Sequence, residues 1–190
     1  APAIATNNAV VLKPSEKTPL AAYYLAQLAL DCGLPPDMLN VINGPTPAIP
    51  DLLVTHDLVD LITFTGSSAI GRSIAERAGY KRLVLELGGN SALLVLEDAD
   101  VEKATDITIA GLFKNSAQRC TAIRRILVHH SLADAFATSL TAKTTSLKYG
   151  DPYNPQNDMG TVISAAAASE IERRVDDAIA HGAQLLVGHQ

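Results

Sequence analysis

Hydrophobic residues occur along the chain in two alternating patterns: short unbroken runs, and longer segments in which they recur every three or four positions. Short runs bounded by turn residues are typical of strands, and the longer spacing is typical of amphipathic helices. The predicted strands lie at residues 10–12, 39–42, 61–64, 83–85, 93–96, 126–128 and 185–187. The predicted helices run from Thr18 to a stop at Gly33, over 49–54, 67–78 and 98–115, and around Phe136 and Val175.

Apolar strands that alternate with helices predict an α/β fold built on a doubly wound parallel sheet with helices on both faces. The pattern restarts after Gly88 and Gly89. We therefore predict two domains, residues 1–87 and 88–190, with the second beginning another α/β domain.

Composition narrows the possible functions. The 190 residues are 47% hydrophobic and carry a formal net charge of −5 with no basic run, which argues against nucleic-acid and membrane-surface partners. No apolar stretch approaches the roughly 20 residues of a membrane-spanning helix, and no secretory signal pattern opens the chain. Two distant cysteines, Cys32 and Cys120, are typical of reduced thiols and predict a cytoplasmic location. The histidines lack metal-ligand spacing, so no metal site is predicted.

Two loops follow predicted strands, where open α/β sheets bind ligands. In the first, Lys13 suits a ribose hydroxyl as donor and Glu16 suits one as acceptor, although a solvated ion pair between them is the alternative. In the second, Gly66 and Ser67 precede a helix whose first amides suit a phosphate. The alternative there is an ordinary serine helix cap.

A carboxylate and a thiol are the candidate catalytic groups. Glu86 ends an apolar strand, where its alternative role is a structural hydrogen bond. Cys120 lies beside Arg119 and Thr121, and nearby cations favour a thiolate. A base and a nucleophile together are what covalent catalysis through a thioester needs. Cys32, on the apolar stripe of a helix, is interpreted as core packing.

Four motifs in order along the chain resemble the NAD(P)-dependent aldehyde dehydrogenase superfamily. They are the Lys13 to Glu16 segment, Gly66-Ser67, Glu86-Leu87-Gly88-Gly89 and Gln118-Arg119-Cys120-Thr121. The resemblance implies a Rossmann-type cofactor domain at 1–87 and the start of a catalytic domain at 88–190. It also implies that Cys120 is the nucleophile and that Glu86 activates the deacylating water. The implied cofactor residues are Lys13, Ser15, Glu16, Gly66, Ser67, Leu87 and Gly88.

The cofactor and substrate follow from details of the same motifs. Glu16 favours NAD, with NADP possible, because a carboxylate repels a 2′-phosphate. The sequence around Arg119 is closest to the branch that contains phosphonoacetaldehyde and non-phosphorylating glyceraldehyde-3-phosphate dehydrogenases. That branch implies a small anionic aldehyde, bound by Arg119 and Thr121. The alternative substrate is an uncharged or carboxylated aldehyde, such as lactaldehyde or a semialdehyde, with Arg119 tuning the thiol.

Two positions depart from the common family pattern. Asn90 replaces a frequent lysine, which we interpret as a subgroup difference. Ala117 replaces a usual glycine, and it strains the loop by about 1 kcal/mol or more if its φ is positive.

Members of the family are much longer, and they form homodimers or homotetramers. We therefore expect this chain to be an internal piece of a longer enzyme, with little activity by itself. A binding module without turnover and a cysteine hydrolase are the competing classes. The first conflicts with the presence of both Cys120 and Glu86, and the second with the absence of a histidine motif near Cys120.

Overall fold

The computed structural model describes residues 1–44 and 48–188. The chain divides into two compact units, Ala1–Leu87 and Gly88–Gln190. Each unit contains parallel strands connected through helices.

Residues 1–44 and 48–87 of the first unit form four helices and four strands. The helices are α1 (Pro2–Ala5), α2 (Leu20–Asp31), α3 (Ala48–Thr55) and α4 (Ser68–Arg77), and the strands are β1 (Val10–Leu12), β2 (Leu39–Val41), β3 (Leu61–Thr65) and β4 (Arg82–Glu86). Strand β1 pairs in parallel with β2, and β3 pairs in parallel with β4, from Leu61 opposite Arg82 to Thr65 opposite Glu86.

The core of this unit lies between one face of the β3–β4 pair and the helices α3 and α4. It consists of Val54, Ile74 and Ala78, with Ile62, Phe64, Leu83 and Leu85 packed against them. Burial alternates along both strands, so the opposite face leaves Leu61 and Val84 about half exposed, at 49% and 47%. The apolar runs that predicted burial on both faces are therefore buried on one face within the described residues.

Over its described residues, 88–188, the second unit is built around one parallel pair of strands. Its elements are β5 (Ser91–Val95), α5 (Val101–Phe113), β6 (Ile123–Val128), α6 (Ala133–Ser146) and α7 (Ala165–Ala180), with short 3-10 turns at Lys114–Ala117 and His130–Leu132. A bulge between Ser91 and Ala92 interrupts the β5–β6 register.

A polar network joins α5 to α6. Thr105 is fully buried and its hydroxyl lies 3.1 Å from the Ser139 hydroxyl. The Lys143 ammonium donates to that same Thr105 oxygen at 2.8 Å and forms ion pairs with Asp106 at 2.5 Å and Glu102 at 3.1 Å. Because the threonine hydroxyl is satisfied, the helices can pack closely without leaving a buried polar group unpaired.

The predicted α/β class with parallel strands is confirmed. The strands form three separate pairs in the described residues. The predicted strand at 185–187 is wrong: these residues are irregular, and among the described residues no strand pairs with them to satisfy their backbone groups. The interpretation of Cys32 as core is also wrong, because it is exposed at the C-terminal end of α2, a helix without a buried residue.

Candidate active site

Cys120 is exposed on a loop that leaves α5 through an unusual turn. Asn115, Ser116 and Ala117 all have positive φ, at 56°, 52° and 60°. Three successive left-handed residues without a glycine are costly, because the Cβ of each lies too close to the following carbonyl oxygen. The expected strain at Ala117 thus has its structural basis, and the turn needs external contacts to hold it.

Some of those contacts come from the segment at residues 160–163. The Ser116 hydroxyl donates to the Gly160 carbonyl at 3.1 Å. The Gln118 side chain accepts from the Ile163 amide at 2.7 Å and donates to the Thr161 carbonyl at 3.4 Å. Side chains on both sides of Ala117 therefore fix the loop to the same distant segment.

Other contacts come from arginines. The Arg119 guanidinium donates to the Gly111 carbonyl at 2.8 Å and to the Lys114 carbonyl at 3.2 Å, at the C-terminal end of α5. Arg124 donates to the Ala117 carbonyl at 3.2 Å. The side chain predicted to bind substrate therefore contacts the protein backbone. Thr121, the other residue predicted to do so, is exposed next to Cys120.

The glycine-rich segment also approaches the nucleophile loop. A Cβ built on Gly89 would overlap the carbonyl oxygen of Cys120. The guanidinium of Arg125, on β6, donates to the Asn90 carbonyl from Nε at 3.3 Å and from Nη2 at 3.2 Å. This segment therefore packs closely on the main chain of Cys120 at Gly89, and hydrogen bonds from Arg125 tie Asn90 to β6.

In the first unit, Glu86 is the last residue of β4 and is exposed. Its carbonyl accepts from the Gly66 amide at 3.0 Å, so the turn after β3 lies beside the end of β4. A Cβ on Gly71 would overlap the side chain of Leu87, which shows that α4 packs closely on the residue after Glu86. Gly88 follows as the first, exposed residue of the second unit.

The start of α4 contains the residues predicted to bind a phosphate. The Ser67 hydroxyl accepts from the Ile70 amide at 3.3 Å, which is the serine helix cap named as the alternative, and Gly66, Ser67 and Ser68 are exposed. The positive end of the helix dipole favours an anion there. A Cβ at position 66 would overlap the Phe64 ring, so the turn suits glycine. Phosphate binding at this helix end stays a prediction.

The loop after β1 contains the residues predicted to bind a ribose. Lys13, whose side chain is only 14% exposed, forms an ion pair with Glu16 at 2.9 Å and donates to the Pro14 carbonyl at 2.7 Å. Ser15 accepts from the Lys17 amide at 3.3 Å. The predicted donor and acceptor thus lie together at the carboxyl end of a strand, in the ion pair named as the alternative, and their binding to a ribose stays a prediction.

Two further properties bear on the chemistry. Across residues 1–44 and 48–188, no group of three or more histidine, cysteine, aspartate and glutamate side chains is placed to hold a metal ion. No helix in that part of the chain is both long enough and apolar enough to cross a membrane.

The sequence did not reveal the residues that support the loop. Gly160, Thr161 and Ile163 contribute backbone groups, which carry no signature of their own. The contact of Arg124 with the Ala117 carbonyl depends on the path of the turn, which the sequence does not specify. The only available signal was the Gln118 side chain, whose amide can both donate and accept and so bind a second segment.

Comparison with known proteins gives one family over the whole chain. A family model described as "Aldehyde dehydrogenase family" matches residues 1–190. The mitochondrial succinate-semialdehyde dehydrogenase of Arabidopsis thaliana is 41% identical over 98% of this chain and 36% of its own length. The 3-sulfolactaldehyde dehydrogenase of Priestia aryabhattai is 40% identical over 98% of this chain and 39% of its own length.

A solved structure agrees with these relatives. Betaine aldehyde dehydrogenase from Staphylococcus aureus, in complex with NAD+, superposes with a TM-score of 0.95 at 36% identity. The match covers 99% of this chain and 38% of that protein. The chain thus spans less than half the length of the known proteins it matches.

Proposed function

Because the chain belongs to the aldehyde dehydrogenase family, we propose that the full-length protein oxidises an aldehyde to the carboxylic acid with NAD(P)+. The observation that carries the proposal is Cys120, an exposed thiol on a loop held by contacts on both sides. In this proposal residues 1–87 contribute to cofactor binding, and residues 88–190 carry the nucleophile.

Cys120 is the proposed nucleophile. Its thiolate attacks the aldehyde carbon, a C–S bond forms, and the carbonyl oxygen becomes an oxyanion that nearby backbone N–H groups can stabilise. NAD(P)+, when bound, supplies the acceptor for the hydride that leaves this carbon. The fixed loop around Cys120 supports this role, because covalent catalysis depends on a precisely oriented nucleophile.

Glu86 is the proposed general base for the second half of the reaction. Its carboxylate removes a proton from a water molecule, and the resulting hydroxide attacks the thioester carbon. The C–S bond then breaks, Cys120 leaves as a thiolate, and the acid is released. The exposed position of Glu86 at the end of β4 supports this role, since water reaches it.

The proposed cofactor site combines two strand ends of the first unit. Lys13, Ser15 and Glu16 would hold the adenosine ribose, and Gly66 and Ser67 the pyrophosphate. We assign Leu87 and Gly88 to the same site by their place in the motif. The Glu16 carboxylate supports a preference for NAD, with NADP possible.

The proposed substrate is a small anionic aldehyde. Two relatives are named for such compounds, one with a carboxylate and one with a sulfonate. They support a semialdehyde or sulfonated aldehyde at least as well as the phosphonoaldehyde favoured by the sequence. A non-anionic aldehyde is the alternative, because the structural neighbour is named for betaine aldehyde. Thr121, exposed beside Cys120, is a proposed substrate contact.

Location and assembly belong to the same proposal. We propose a cytoplasmic enzyme that assembles as a homodimer or homotetramer. The support is the pair of reduced cysteines and the family membership.

The test is NADH formation by the full-length protein with succinate semialdehyde, 3-sulfolactaldehyde, phosphonoacetaldehyde and butanal. We expect turnover with at least one anionic aldehyde, and none for Cys120→Ser. For Glu86→Gln we expect a burst of one NADH per site followed by a stall, because acylation proceeds and hydrolysis does not. Cys32→Ser is the control and should keep full activity. Full activity in Cys120→Ser would refute the proposal.

A further inference from the structure

We propose that Arg119 is a positioning residue for Cys120, and that its charge does not serve as the anchor for an anionic substrate. The guanidinium binds the C-terminal end of α5 and so holds the start of the nucleophile loop. The catalytic consequence of this inference rests on the proposed function. The contact between Arg119 and the end of α5 does not depend on that function.

The Arg119 guanidinium binds backbone carbonyls at the end of α5. Its Nη2 donates to the Gly111 carbonyl at 2.8 Å and lies 3.5 Å from the Ala110 carbonyl, and its Nε donates to the Lys114 carbonyl at 3.2 Å. The last carbonyls of a helix lack intrahelical partners and carry the negative end of the dipole, so a cation binds them well. The edge formed by Nε and Nη2, one of the two that could make a two-pronged contact with a carboxylate or phosphate, is therefore already occupied by backbone.

The turn that these bonds close is strained. Between the helix end and Arg119 the chain passes through Asn115, Ser116 and Ala117, all left-handed. Such a turn persists only when its surroundings determine it. Arg119 contacts residues on the helix side of the turn and is itself on the other side, so its side chain spans the strained residues.

A second guanidinium, that of Arg124, also binds backbone carbonyls of this loop. Nη2 of Arg124 donates to the Ala117 carbonyl at 3.2 Å and to the Arg119 carbonyl at 3.5 Å. The two arginines thus bind backbone on both sides of Gln118. Cys120 follows directly, with its position fixed by backbone contacts that do not involve the thiol.

Arg119 can act as a clamp, which positions Cys120, or as an anchor, which binds an anionic substrate. The two roles predict different kinetics. A clamp acts on the nucleophile, so its loss lowers kcat for charged and uncharged aldehydes alike. An anchor acts on the anion, so its loss raises KM for anionic aldehydes alone. Lysine separates the two roles because it keeps the charge but lacks the planar fork that reaches Gly111 and Lys114 together.

The experiment compares the full-length wild type with Arg119→Lys and Arg119→Leu, using succinate semialdehyde and butanal. We expect kcat to fall about tenfold or more for both aldehydes in both variants, with little change in KM. The proposal would be overturned if Arg119→Leu raised KM for succinate semialdehyde alone and Arg119→Lys kept the wild-type KM. If Arg119→Leu does not fold, Arg119→Lys decides the question alone.

A second readout does not need dehydrogenase activity. The rate at which iodoacetamide alkylates Cys120 is measured by mass spectrometry against Cys32, which is also exposed and serves as the internal reference. We expect the ratio of the two rates to change in both variants. If the ratio of alkylation rates changes in the variants but the full-length wild type oxidises none of the aldehydes, the proposed function is refuted and the clamp is supported. Unchanged ratios and unchanged kcat would refute the clamp and leave the function intact.

Discussion

Gly89 passes so close to the main chain of Cys120 that any Cβ at position 89 would overlap the Cys120 carbonyl oxygen. A flexible side chain could rotate away from such an overlap, but a backbone oxygen moves only with its peptide. Glycine at 89 is therefore a requirement of packing, and the position of Cys120 depends on it.

We expect Gly89→Ala to displace the nucleophile loop and to lower the free energy of unfolding by about 1–3 kcal/mol, the usual cost of overpacking. Chemical denaturation of the full-length protein measures the second effect. Iodoacetamide alkylation of Cys120 relative to Cys32 measures the first.

The matched control is Gly182→Ala. Gly182 has a φ of +92° and open space around its Cβ position, so alanine there is strained without an overlap. It should lower stability and leave the Cys120 alkylation ratio unchanged. An unaltered ratio in Gly89→Ala as well would contradict the role that we assign to this contact.

Ala117 has a φ of 60°, and glycine reaches that conformation without steric cost. We expect Ala117→Gly to raise the free energy of unfolding by up to about 1 kcal/mol, because relief of strain outweighs the added chain entropy. Ala142→Gly, in the exposed interior of α6, makes the same change in an ordinary helix and should cost about 0.5–1 kcal/mol. Denaturant midpoints should therefore shift in opposite directions.

Ser67 and Ser164 cap two different helices in the same way, by accepting from the amide three residues ahead at 3.3 Å and 3.2 Å. Alanine at either position should cost about 1 kcal/mol of stability. Only Ser67→Ala should also weaken NAD+ binding, measured by calorimetry, because α4 begins at the proposed pyrophosphate site. Equal NAD+ affinity in the two variants would exclude Ser67 from the cofactor site.

The network between α5 and α6 makes stability depend on pH. A hydrogen bond from Ser139, and then Lys143, lowers the pKa of Glu102 below its ordinary 4.5. Bonding to Asp106 first, and to Glu102, raises the pKa of Lys143 above 10.5. The Glu102 contribution is present above pH 4.5 and is lost as the pH falls through its lowered pKa. The Lys143 contribution is present below pH 10.5 and is lost as the pH rises further.

Lys143→Met should therefore destabilise the protein most on the plateau between these limits, and least at the acidic and alkaline ends. Denaturation midpoints at a series of pH values measure the difference from wild type. Lys103→Met is the control, since its ion pair with Asp100 is longer, at 3.7 Å, and its side chain is 82% exposed. A difference between wild type and Lys143→Met that is constant with pH would argue against the network.

Secondary structure was largely predictable because its signals are local. The strand predicted at 61–64 extends over Leu61–Thr65, and the helix predicted at 67–78 is Ser68–Arg77, with Ser67 as its cap. The prediction of a strand at 185–187 was wrong because a strand also needs a partner strand, which a local apolar run cannot specify. The prediction that Cys32 lies in the core was wrong for a similar reason, since an apolar stripe on a helix does not reveal what covers it.

The motifs identified candidate residues of the site but not their contacts. Cys120 lies on an exposed loop and Glu86 ends a strand, and their catalytic roles stay predictions. The binding of Arg119 to Gly111 and Lys114 was not predictable, because it depends on how the left-handed turn directs the chain. A motif identifies a charge, but the backbone path decides which groups that charge reaches.

The left-handed turn at Asn115, Ser116 and Ala117 also has a consequence for mirror-image chemistry. For a D-amino acid the left-handed region is the relaxed one, because the clash between Cβ and the following carbonyl oxygen that L-residues have there is absent. D-alanine installed at 117 by semisynthesis would remove the strain and place its methyl group where the native Hα lies, whereas glycine has no methyl group. We expect the D-alanine protein to be more stable than the glycine variant, because D-alanine restricts the unfolded chain more than glycine does.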